Sequence, residues 1–393
     1  MDKATLERKG YSVAALRALA RKELPRVLFD VVDGAAGDEI TMRANEAALA
    51  AIELVPTVLA GAPERDQSVE LFGLRLPSPI IIGPTGFAGL LWPRAEIETA
   101  RAAARFGTIY STSHASLSSL EEIGAATAGP KWMQTFLYKD RGLTKEFAAR
   151  AEAAGYKALI LTVDNQVVAG RDRDARNGTF FPLRWGPRRV LDLASHPGWL
   201  MRMRNTRSPR FANYGQRSSM AAFGPLMIEQ LDPDIGWRDI DWLRGLWRGP
   251  LILKGVLHPG EAREAVGRGV DGIIVSNHGG RQLDGAVASI RALGPIVEAV
   301  GGQAPVLVDG GFRRGVDVVK GLALGARAVL IGRPHLWGVA CAGEAGVFRV
   351  LELFRREIDR ALALGGWDGV AKLDRSIFLD PKAGGRPAPR STA

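Results

Sequence analysis

A histidine and an arginine stand three positions apart directly after an apolar run, in the stretch VSNHGGRQLDG at residues 275–285. His278 is one of five histidines in the chain and follows what reads as a buried strand. An imidazole can take up a proton at neutral pH, and the guanidinium of Arg281 can hold a carboxylate through two hydrogen bonds. The pair predicts a site that deprotonates a small carboxylic acid, with a satisfied structural imidazole as the alternative interpretation of His278.

Asp164 supplies a third group, because it ends a second apolar run at residues 158–164. A carboxylate beside a histidine orients the imidazole and stabilises its cation, as in a catalytic triad. We therefore predict that Asp164 supports His278.

Two glycine-containing segments predict a phosphate site: DGGFRRG at residues 309–315 and GRP at residues 332–334. Glycines let backbone N–H groups approach an anion closely, and Arg313 and Arg333 can add charge-assisted hydrogen bonds. In eight-stranded α/β barrels the loops after the last two strands commonly hold a phosphate. A phosphorylated ligand is expected, and purely structural turns are the alternative.

Lys254 lies alone inside an apolar run, where an ammonium group needs an anionic partner. One interpretation is a lysine that forms a Schiff base with its substrate. The other is a cation beside a cofactor that becomes anionic on reduction.

The elements that must position these residues are eight apolar, β-rich runs, most of them separated by amphipathic helical stretches. Buried strands joined through helices form a parallel sheet, and eight such units close most simply into a (β/α)8 TIM barrel. A doubly wound open sheet is the alternative, but its G-x-G-x-x-G fingerprint after a first strand is missing. The predicted strands are residues 80–83, 108–112, 132–137, 158–164, 251–256, 272–278, 305–310 and 328–333.

Every predicted strand carries polar residues at or near its carboxyl end, where the active site of such a barrel lies. In chain order they are Pro84, Thr85, Gly86, Ser113, Gln134, Thr162, Asp164, Lys254, Ser276, Asn277, His278, Asp309, Gly310, Gly311, Gly332 and Arg333.

Other segments flank and interrupt the barrel. We expect an N-terminal helical segment at residues 1–60, a barrel domain at 61–380 that begins with a short hairpin, and a disordered tail at 381–393. An insertion of about residues 165–235 follows the fourth strand and shows little clear periodicity. Insertions of this length are usually functional or disordered.

The insertion is basic and aromatic. Ten arginines and three aspartates lie between Arg171 and Arg210. A solvated lid over the barrel mouth is one interpretation, and docking on an anionic membrane surface is the other. We expect no nucleic-acid partner. The apolar residues between the arginines are Phe180, Phe181, Trp185, Trp199, Leu200, Met201 and Met203.

The composition narrows the class of protein. The net charge of +10 favours anionic partners, and no apolar run approaches the roughly 20 residues of a membrane span. The first 25 residues lack the apolar core of a signal peptide. We expect a cytoplasmic protein, either free or peripheral on the inner face of the cell membrane. The one cysteine, Cys341, predicts no internal disulfide and no metal site and reads as a buried residue on a helix.

The motifs SNHGGRQLDG and DGGFRRGVDVVKGLALGARAVLIGRP together resemble the FMN-dependent α-hydroxy-acid oxidase and dehydrogenase family. The resemblance runs from LPRVLFDVVDGAAGDE to about Phe378. Within the family, IIGPTGFAGLLWPRAE looks most like the (S)-mandelate dehydrogenase branch.

The resemblance implies a role for each motif residue. His278 would be the base, Asp164 its support, and Arg281 and Arg171 the carboxylate-binding residues. Lys254 would lie beside the flavin, where its charge stabilises the reduced state. The FMN contacts implied are Pro84, Thr85, Gly86, Ser113, Gln134, Thr162, Lys254 and Ser276, with the phosphate on Asp309, Gly310, Gly311, Arg313, Gly332 and Arg333.

Three positions depart from the usual family pattern. Val31 and Phe136 stand where relatives usually have tyrosines that bind the substrate, and Ala115 stands where some have tryptophan. A hydrogen bond to a charged group is worth roughly 1.5–3 kcal/mol, so both losses weaken the binding of a small hydroxy acid. The substrate expected is a bulkier (S)-2-hydroxy acid, a class that includes aromatic ones.

The resemblance also implies an electron acceptor and an assembly. Gly86, where oxidases commonly have alanine, and the basic insertion favour a quinone or electron-carrier acceptor. An oxygen-using, peroxide-forming FMN oxidase acting on a specialised biosynthetic intermediate is the alternative, and a non-catalytic FMN-binding scaffold is a third. Relatives in this family are often homotetramers, which we expect here.

Overall fold

A computed structural model of the chain describes residues 1–61, 63–178, 186–204, 206, 209–217, 219–380 and 386–387. Phe180, Phe181 and Trp185 of the insertion lie outside the described residues, as does nearly all of the predicted tail.

Eight parallel strands close into a barrel, which confirms the predicted TIM barrel. A short antiparallel hairpin precedes the barrel, with Phe72 and Gly73 in left-handed conformations at its turn. A pair of very short antiparallel strands follows it. The strands are β1 (Val69–Leu71), β2 (Leu74–Leu76), β3 (Ile80–Thr85), β4 (Tyr110–Ser113), β5 (Lys131–Thr135), β6 (Ala158–Thr162), β7 (Leu251–Val256), β8 (Gly272–Val275), β9 (Val306–Val308), β10 (Ala328–Ile331), β11 (Leu379–Asp380) and β12 (Arg386–Pro387).

Strands β3 to β10 form the barrel, and β10 pairs with β3 to close it. Their side chains are almost entirely buried, as the apolar runs predict for strands covered on both faces. Five of the strands, β5, β6, β8, β9 and β10, end two or three residues earlier than predicted, and β6 ends at Thr162 and β8 at Val275. Asp164 and His278 therefore lie on loops, and His278 has a φ of +57°, which a strand does not permit.

Helices cover the barrel and one end of it. Helices α1 to α4 confirm the N-terminal helical segment, and the long helix α16 packs on α2 and α5. Cys341 lies buried within α16, close to a kink at Ala342 and Gly343. The first seven helices are α1 (Lys3–Lys9), α2 (Val13–Glu23), α3 (Arg26–Asp33), α4 (Ile40–Ala50), α5 (Ala95–Phe106), α6 (Leu120–Ala126) and α7 (Arg141–Ala153). After the insertion follow α12 (Trp237–Leu246), α13 (Pro259–Gly267), α14 (Ser289–Val300), α15 (Gly315–Ala323) and α16 (Arg333–Gly365).

The insertion contains helices that the sequence pattern did not reveal. Prolines begin two of them, at Pro187 and Pro197, and the apolar side chains of Val190, Leu191 and Met201 are exposed rather than packed on a core. These two helices are only eight and seven residues long, shorter than the window over which a helical period can be recognised in a sequence. The helices are α8 (Asp172–Asn177), α9 (Pro187–Ala194), α10 (Pro197–Met203) and α11 (Met220–Gln230). No helix in the described ranges is long and apolar enough to cross a membrane.

The N-terminal helices are fixed to the carboxyl end of the barrel. The carboxylate of Asp284, in the loop after β8, accepts hydrogen bonds from the backbone N–H groups of Ile40 and Thr41 at the start of α4. In α3, Asp33 forms ion pairs with Arg17 of α2 and Arg173 of α8. This end of the barrel is thus walled by α3, α4 and α8.

Candidate active site

His278 and Asp164, which are 114 residues apart, meet at the carboxyl end of the barrel with 2.9 Å between Nδ1 and Oδ1. The left-handed backbone at His278 and a hydrogen bond from its N–H to the hydroxyl of Ser276 fix the loop that carries the ring. Burial would raise the pKa of Asp164, but the charge of His278, their hydrogen bond and the charge of Lys254 outweigh it and lower the pKa. The carboxylate is therefore ionised beside the ring.

Arg281 lies in the same loop and donates to the backbone carbonyls of Val31 and Gly34, at 3.0 and 2.8 Å. Burial lowers its pKa well below the usual value, and the charges of Arg171 and Arg333 add to this. No carboxylate hydrogen-bonds Arg281 within the described part of the chain. Two neighbouring, partly buried guanidinium groups favour a bound anion, which is what the predicted role of Arg281 and Arg171 requires. Arg171 also forms an ion pair with Asp174, at 2.8 Å.

Lys254 is buried on β7 and donates to the hydroxyl of Ser276 at 3.1 Å. Its Nζ lies 3.5 Å from Oδ2 of Asp309, which supplies the anionic partner expected for a buried ammonium. The other carboxylate oxygen of Asp309 and the hydroxyl of Thr162 are buried without a hydrogen-bond partner in the described structure. Buried polar atoms of this kind indicate a place for a polar ligand.

The ends of β4 and β5 are joined through Gln134, whose side-chain oxygen accepts from the Ser113 hydroxyl and, more weakly, from the N–H of His114. After β3, the Thr85 hydroxyl lies 3.1 Å from a ring nitrogen of His335. A Cβ added at Gly86 would lie 2.9 Å from the Cβ of Ala115, so this loop is packed closely against the next one. Pro84, Thr85 and Gly86 thus lie at one edge of the barrel mouth.

The predicted phosphate segment follows β9 and β10. Gly310 and Gly311 have φ values of +94° and +89°, and a Cβ on either would crowd Asn45. Burial and the charge of Arg313 lower the pKa of Arg333 to about 10. Gly332 precedes Arg333 at the start of α16, so a helix N-terminus faces the same place.

Arg313 and Arg333 are also held by the protein itself. Arg313 forms an ion pair with Glu46 and lies over the ring of Trp337, at 5.2 Å from its centroid. Arg333 donates to the carbonyls of Gly279 and Gly34. Its Nε is buried without a partner among the described residues.

FMN fits this arrangement. Within the described residues, the unpaired hydroxyl of Thr162, the unpaired oxygen of Asp309 and the unpaired Nε of Arg333 run from the barrel interior to its phosphate end. The ammonium of Lys254 lies between the first two. The ring system of a flavin needs polar contacts and a nearby cation. Its phosphate needs close backbone N–H groups, which glycines permit, and arginines.

Sequence reasoning missed two residues that shape the site. Asn45 of α4 exchanges two side-chain hydrogen bonds with Asn277, at 2.9 and 2.8 Å, and thereby fixes the loop of His278 to the N-terminal helices. Glu96 is fully buried and accepts from the N–H groups of Gly89 and Leu117, so it joins the loops after β3 and β4. Neither residue stands in a local pattern that marks it.

Sequence reasoning also missed an aromatic cluster, to which the insertion contributes two phenylalanines. The rings of Phe211 and Phe223 stack at 3.5 Å, and Phe87, directly after Gly86, packs edge-on against both. Phe136 lies at the end of β5, with His114 against its ring. The mouth of the barrel is therefore aromatic on the side of β3 to β5.

Fold and site together fit a flavin-binding (β/α)8 barrel. The chain belongs to the FMN-dependent dehydrogenase family, whose sequence model matches residues 20–380. It is an FMN-dependent enzyme of the α-hydroxy-acid dehydrogenase and oxidase class.

Comparison with known proteins finds relatives that are named for two substrates, lactate and mandelate. The chain is 42% identical to an L-lactate dehydrogenase of Caulobacter vibrioides over 380 residues, which cover 95% of this chain and 99% of that one. It superposes on the crystal structure of the monotopic membrane protein (S)-mandelate dehydrogenase with a TM-score of 0.90 and 37% identity, covering 94% of this chain and 98% of that one. A mandelate oxidase structure matches with a TM-score of 0.81 and 37% identity, over 93% and 97% of the two chains.

Proposed function

We propose that this protein oxidises a bulky, aromatic (S)-2-hydroxy acid to the 2-oxo acid and passes the electrons to a quinone or an electron carrier. The observation that carries the proposal is the His278–Asp164 pair beside Arg281. Among the described residues, the half-buried guanidinium of Arg281 hydrogen-bonds only to backbone carbonyls. One group accepts a proton and the other holds a carboxylate.

His278 acts as the base. Its Nδ1 is engaged by the ionised Asp164, so Nε2 is the nitrogen left to accept the proton from the substrate. Asp164 then stabilises the imidazolium, since its carboxylate lies 2.9 Å from the ring. The ring is fixed before the substrate arrives, because the backbone of His278 is bound to Ser276.

Arg281 and Arg171 hold the substrate carboxylate. Binding an anion relieves the mutual repulsion that, after burial, lowers the pKa of Arg281. The carbonyls of Val31 and Gly34 aim the Arg281 guanidinium and leave it donors to spare. The carboxylate is thereby held beside His278.

FMN, when bound, accepts the two electrons. Thr162, Ser276, Lys254 and Gln134 would hold its ring system, and Lys254 would supply a fixed positive charge there. Gly310, Gly311, Arg313 and Arg333 would hold its phosphate.

The aromatic side of the mouth supports a bulky substrate. Phe136 and Ala115, directly after β5 and in the loop after β4, present an apolar ring and a methyl group, with no hydroxyl and no tryptophan. Aromatic pairs of this kind contribute about 0.5–1.5 kcal/mol beyond the area they bury. The likeness to mandelate-oxidising structures supports the same substrate class.

The outer surface of the insertion supports docking on an anionic membrane. Leu191 and Met201 are 69% and 65% exposed on α9 and α10, and Arg204 lies exposed at the end of α10. Arg202 forms an ion pair with Glu23 and lies over the ring of Trp92. It therefore belongs to the side of the insertion that packs on the rest of the protein, not to its outer surface. The monotopic mandelate dehydrogenase supports this proposal.

Vesicle flotation tests the docking. Phosphatidylglycerol vesicles should bind the native protein and release it as salt rises. The triple variant Leu191→Ser, Met201→Ser and Arg204→Ser should bind at least tenfold more weakly. The matched control is Arg238→Ser, an exposed arginine on α12 outside the insertion, which should bind as the native protein does. Equal binding by the triple variant would leave only the lid interpretation.

An oxygen electrode tests the acceptor, because a peroxide-forming oxidase is the second candidate. The mandelate oxidase likeness favours that candidate. Slow oxygen uptake with rapid reduction of a quinone analogue supports the dehydrogenase. Oxygen uptake as fast as flavin reduction would replace it by the oxidase.

A further inference from the structure

Three buried polar groups meet behind the aromatic side of the site. Nδ1 of His114 lies 2.5 Å from the hydroxyl of Tyr214 and 3.0 Å from that of Tyr138, and the two hydroxyls are 2.8 Å apart. His114, Tyr138 and Tyr214 are at most 7% exposed. Such a closed polar network inside an aromatic cluster is rigid, because each group would lose its partners if it moved. We call these residues the His114 triad.

The His114 triad contacts the aromatic side of the barrel mouth through Phe136. The rings of His114 and Phe136 lie 4.3 Å apart at an angle of 59°, and Tyr138 contacts the same ring edge-on at 6.2 Å. His114 directly follows Ser113, and its backbone N–H lies 3.4 Å from the Gln134 oxygen. The position of His114 therefore fixes the ring of Phe136, which directly follows β5.

The triad touches the insertion through Tyr214. This residue lies in a 3-10 turn of the insertion, and its neighbour Asn213 binds the carbonyl of His114 and the N–H of Leu120. The ring of Tyr214 packs on Phe223, at 5.5 Å. The hydroxyl of Tyr214 thus joins the insertion to the loop after β4, through His114.

The imidazole of His114 stays neutral. Burial, and then the charge of His278, lower the pKa of His114 to about 3. A neutral ring is compatible with its apolar neighbours Phe136 and Phe223.

We propose that His114 is a positioning residue that sets selectivity for the substrate side chain: with Tyr138 and Tyr214 it locks the Phe136 ring in the pocket wall and seats the insertion against it. This inference rests on the proposed function. When the triad is broken, the Phe136 ring gains freedom, and a bulky side chain loses its complementary wall while a methyl group loses little.

The test compares the binding of two inert 2-oxo acids, phenylglyoxylate and pyruvate, to the FMN-loaded protein by calorimetry. Tyr214→Phe removes the hydroxyl and keeps the ring. His114→Phe keeps a ring against Phe136 and removes the nitrogen. The matched control is Tyr156→Phe, since Tyr156 is a buried tyrosine whose hydroxyl bonds Thr112 and the Leu120 carbonyl, outside the triad.

We expect the phenylglyoxylate-to-pyruvate affinity ratio to fall about fivefold in both triad variants, the size of one net hydrogen bond, and to stay within twofold in the control. FMN content should be native in all three, and limiting rates of flavin reduction should change less than substrate affinity. A native ratio in both triad variants would overturn the positioning role alone. Failure of the native protein to bind either acid would overturn the proposed function on which it rests.

Discussion

The two halves of the barrel mouth are built from different side chains. The side of β6 to β10, called here the charged half, carries the ionisable residues Asp164, Lys254, His278, Arg281 and Arg333. They bind one another, the Ser276 hydroxyl or backbone carbonyls. After β3 to β5 the loops, called here the aromatic half, carry Phe87, Ala115 and Phe136. Rings of the insertion pack on Phe87, and the ring of His114 packs on Phe136. We infer that the charged half supplies the chemistry of the family and the aromatic half selects the substrate of this chain.

The largest effect should follow from replacing the proton acceptor of the charged half, His278. His278→Asn keeps a residue that tolerates the left-handed backbone and removes the proton acceptor. We expect flavin reduction by substrate to slow by roughly 10³-fold, with FMN still bound. Stopped-flow absorbance measures the rate. His258→Asn, a change at an exposed helix cap, serves as the control and should leave the rate unchanged.

Asp164→Asn should have the next largest effect, slowing flavin reduction by about 10²-fold because the imidazolium loses its carboxylate.

The same variant gives a pH prediction. Because the pKa of Asp164 is lowered in the folded protein, its ionised form contributes stability above the unfolded pKa of about 3.9. This contribution is lost as the pH falls through the folded pKa. In urea titrations the native protein should exceed the variant in free energy of unfolding at pH 7, and the gap should narrow below pH 4. A gap that widens in acid would contradict the assignment.

Phe136→Tyr sharpens the comparison by adding a polar group to the aromatic half. A hydroxyl that reaches the bound acid would contribute roughly 1.5–3 kcal/mol. We expect the kcat/KM for L-lactate to rise about tenfold or more and that for an aromatic acid to change less. An equal change for both acids would show that Phe136 does not discriminate between them.

The smallest effect concerns the packing between the loop after β3 and the loop after β4. In Gly86→Ala the new methyl would lie 2.9 Å from the Cβ of Ala115, and overpacking of this kind costs about 1–3 kcal/mol. The free energy of unfolding should fall by that amount, and Ala115→Gly in the same chain should restore most of it. A loss that persists in the double variant would place the conflict elsewhere.

The charged half could be predicted from the sequence, and the aromatic half largely could not. His278, Arg281, Gly310 and Gly311 stand in short motifs after recognisable strands, so local pattern and barrel topology place them. The His114 triad joins residues 24 and 100 positions apart, and Asn45 and Asn277 are 232 apart. Such contacts depend on how the insertion and the N-terminal helices pack, for which a single sequence carries no periodic signal.

The strand ends illustrate the same limit on a smaller scale. The apolar run up to residue 278 predicts a strand to His278, yet β8 ends at Val275 because the polar residues after it turn into the loop that carries the base. Hydrophobic pattern locates the strand, but the backbone conformation of its last residues is set by contacts with Ser276, Asn45 and Asp164.

Anaerobic stopped-flow reduction of the bound flavin by paired acids tests the central claim most directly. The account predicts rapid bleaching by an aromatic (S)-2-hydroxy acid such as (S)-mandelate, slower bleaching by L-lactate and none by the (R) enantiomer. A flavin that L-lactate reduces faster than any aromatic acid would contradict the role given to the aromatic half. A flavin that no 2-hydroxy acid reduces would contradict the proposed reaction itself.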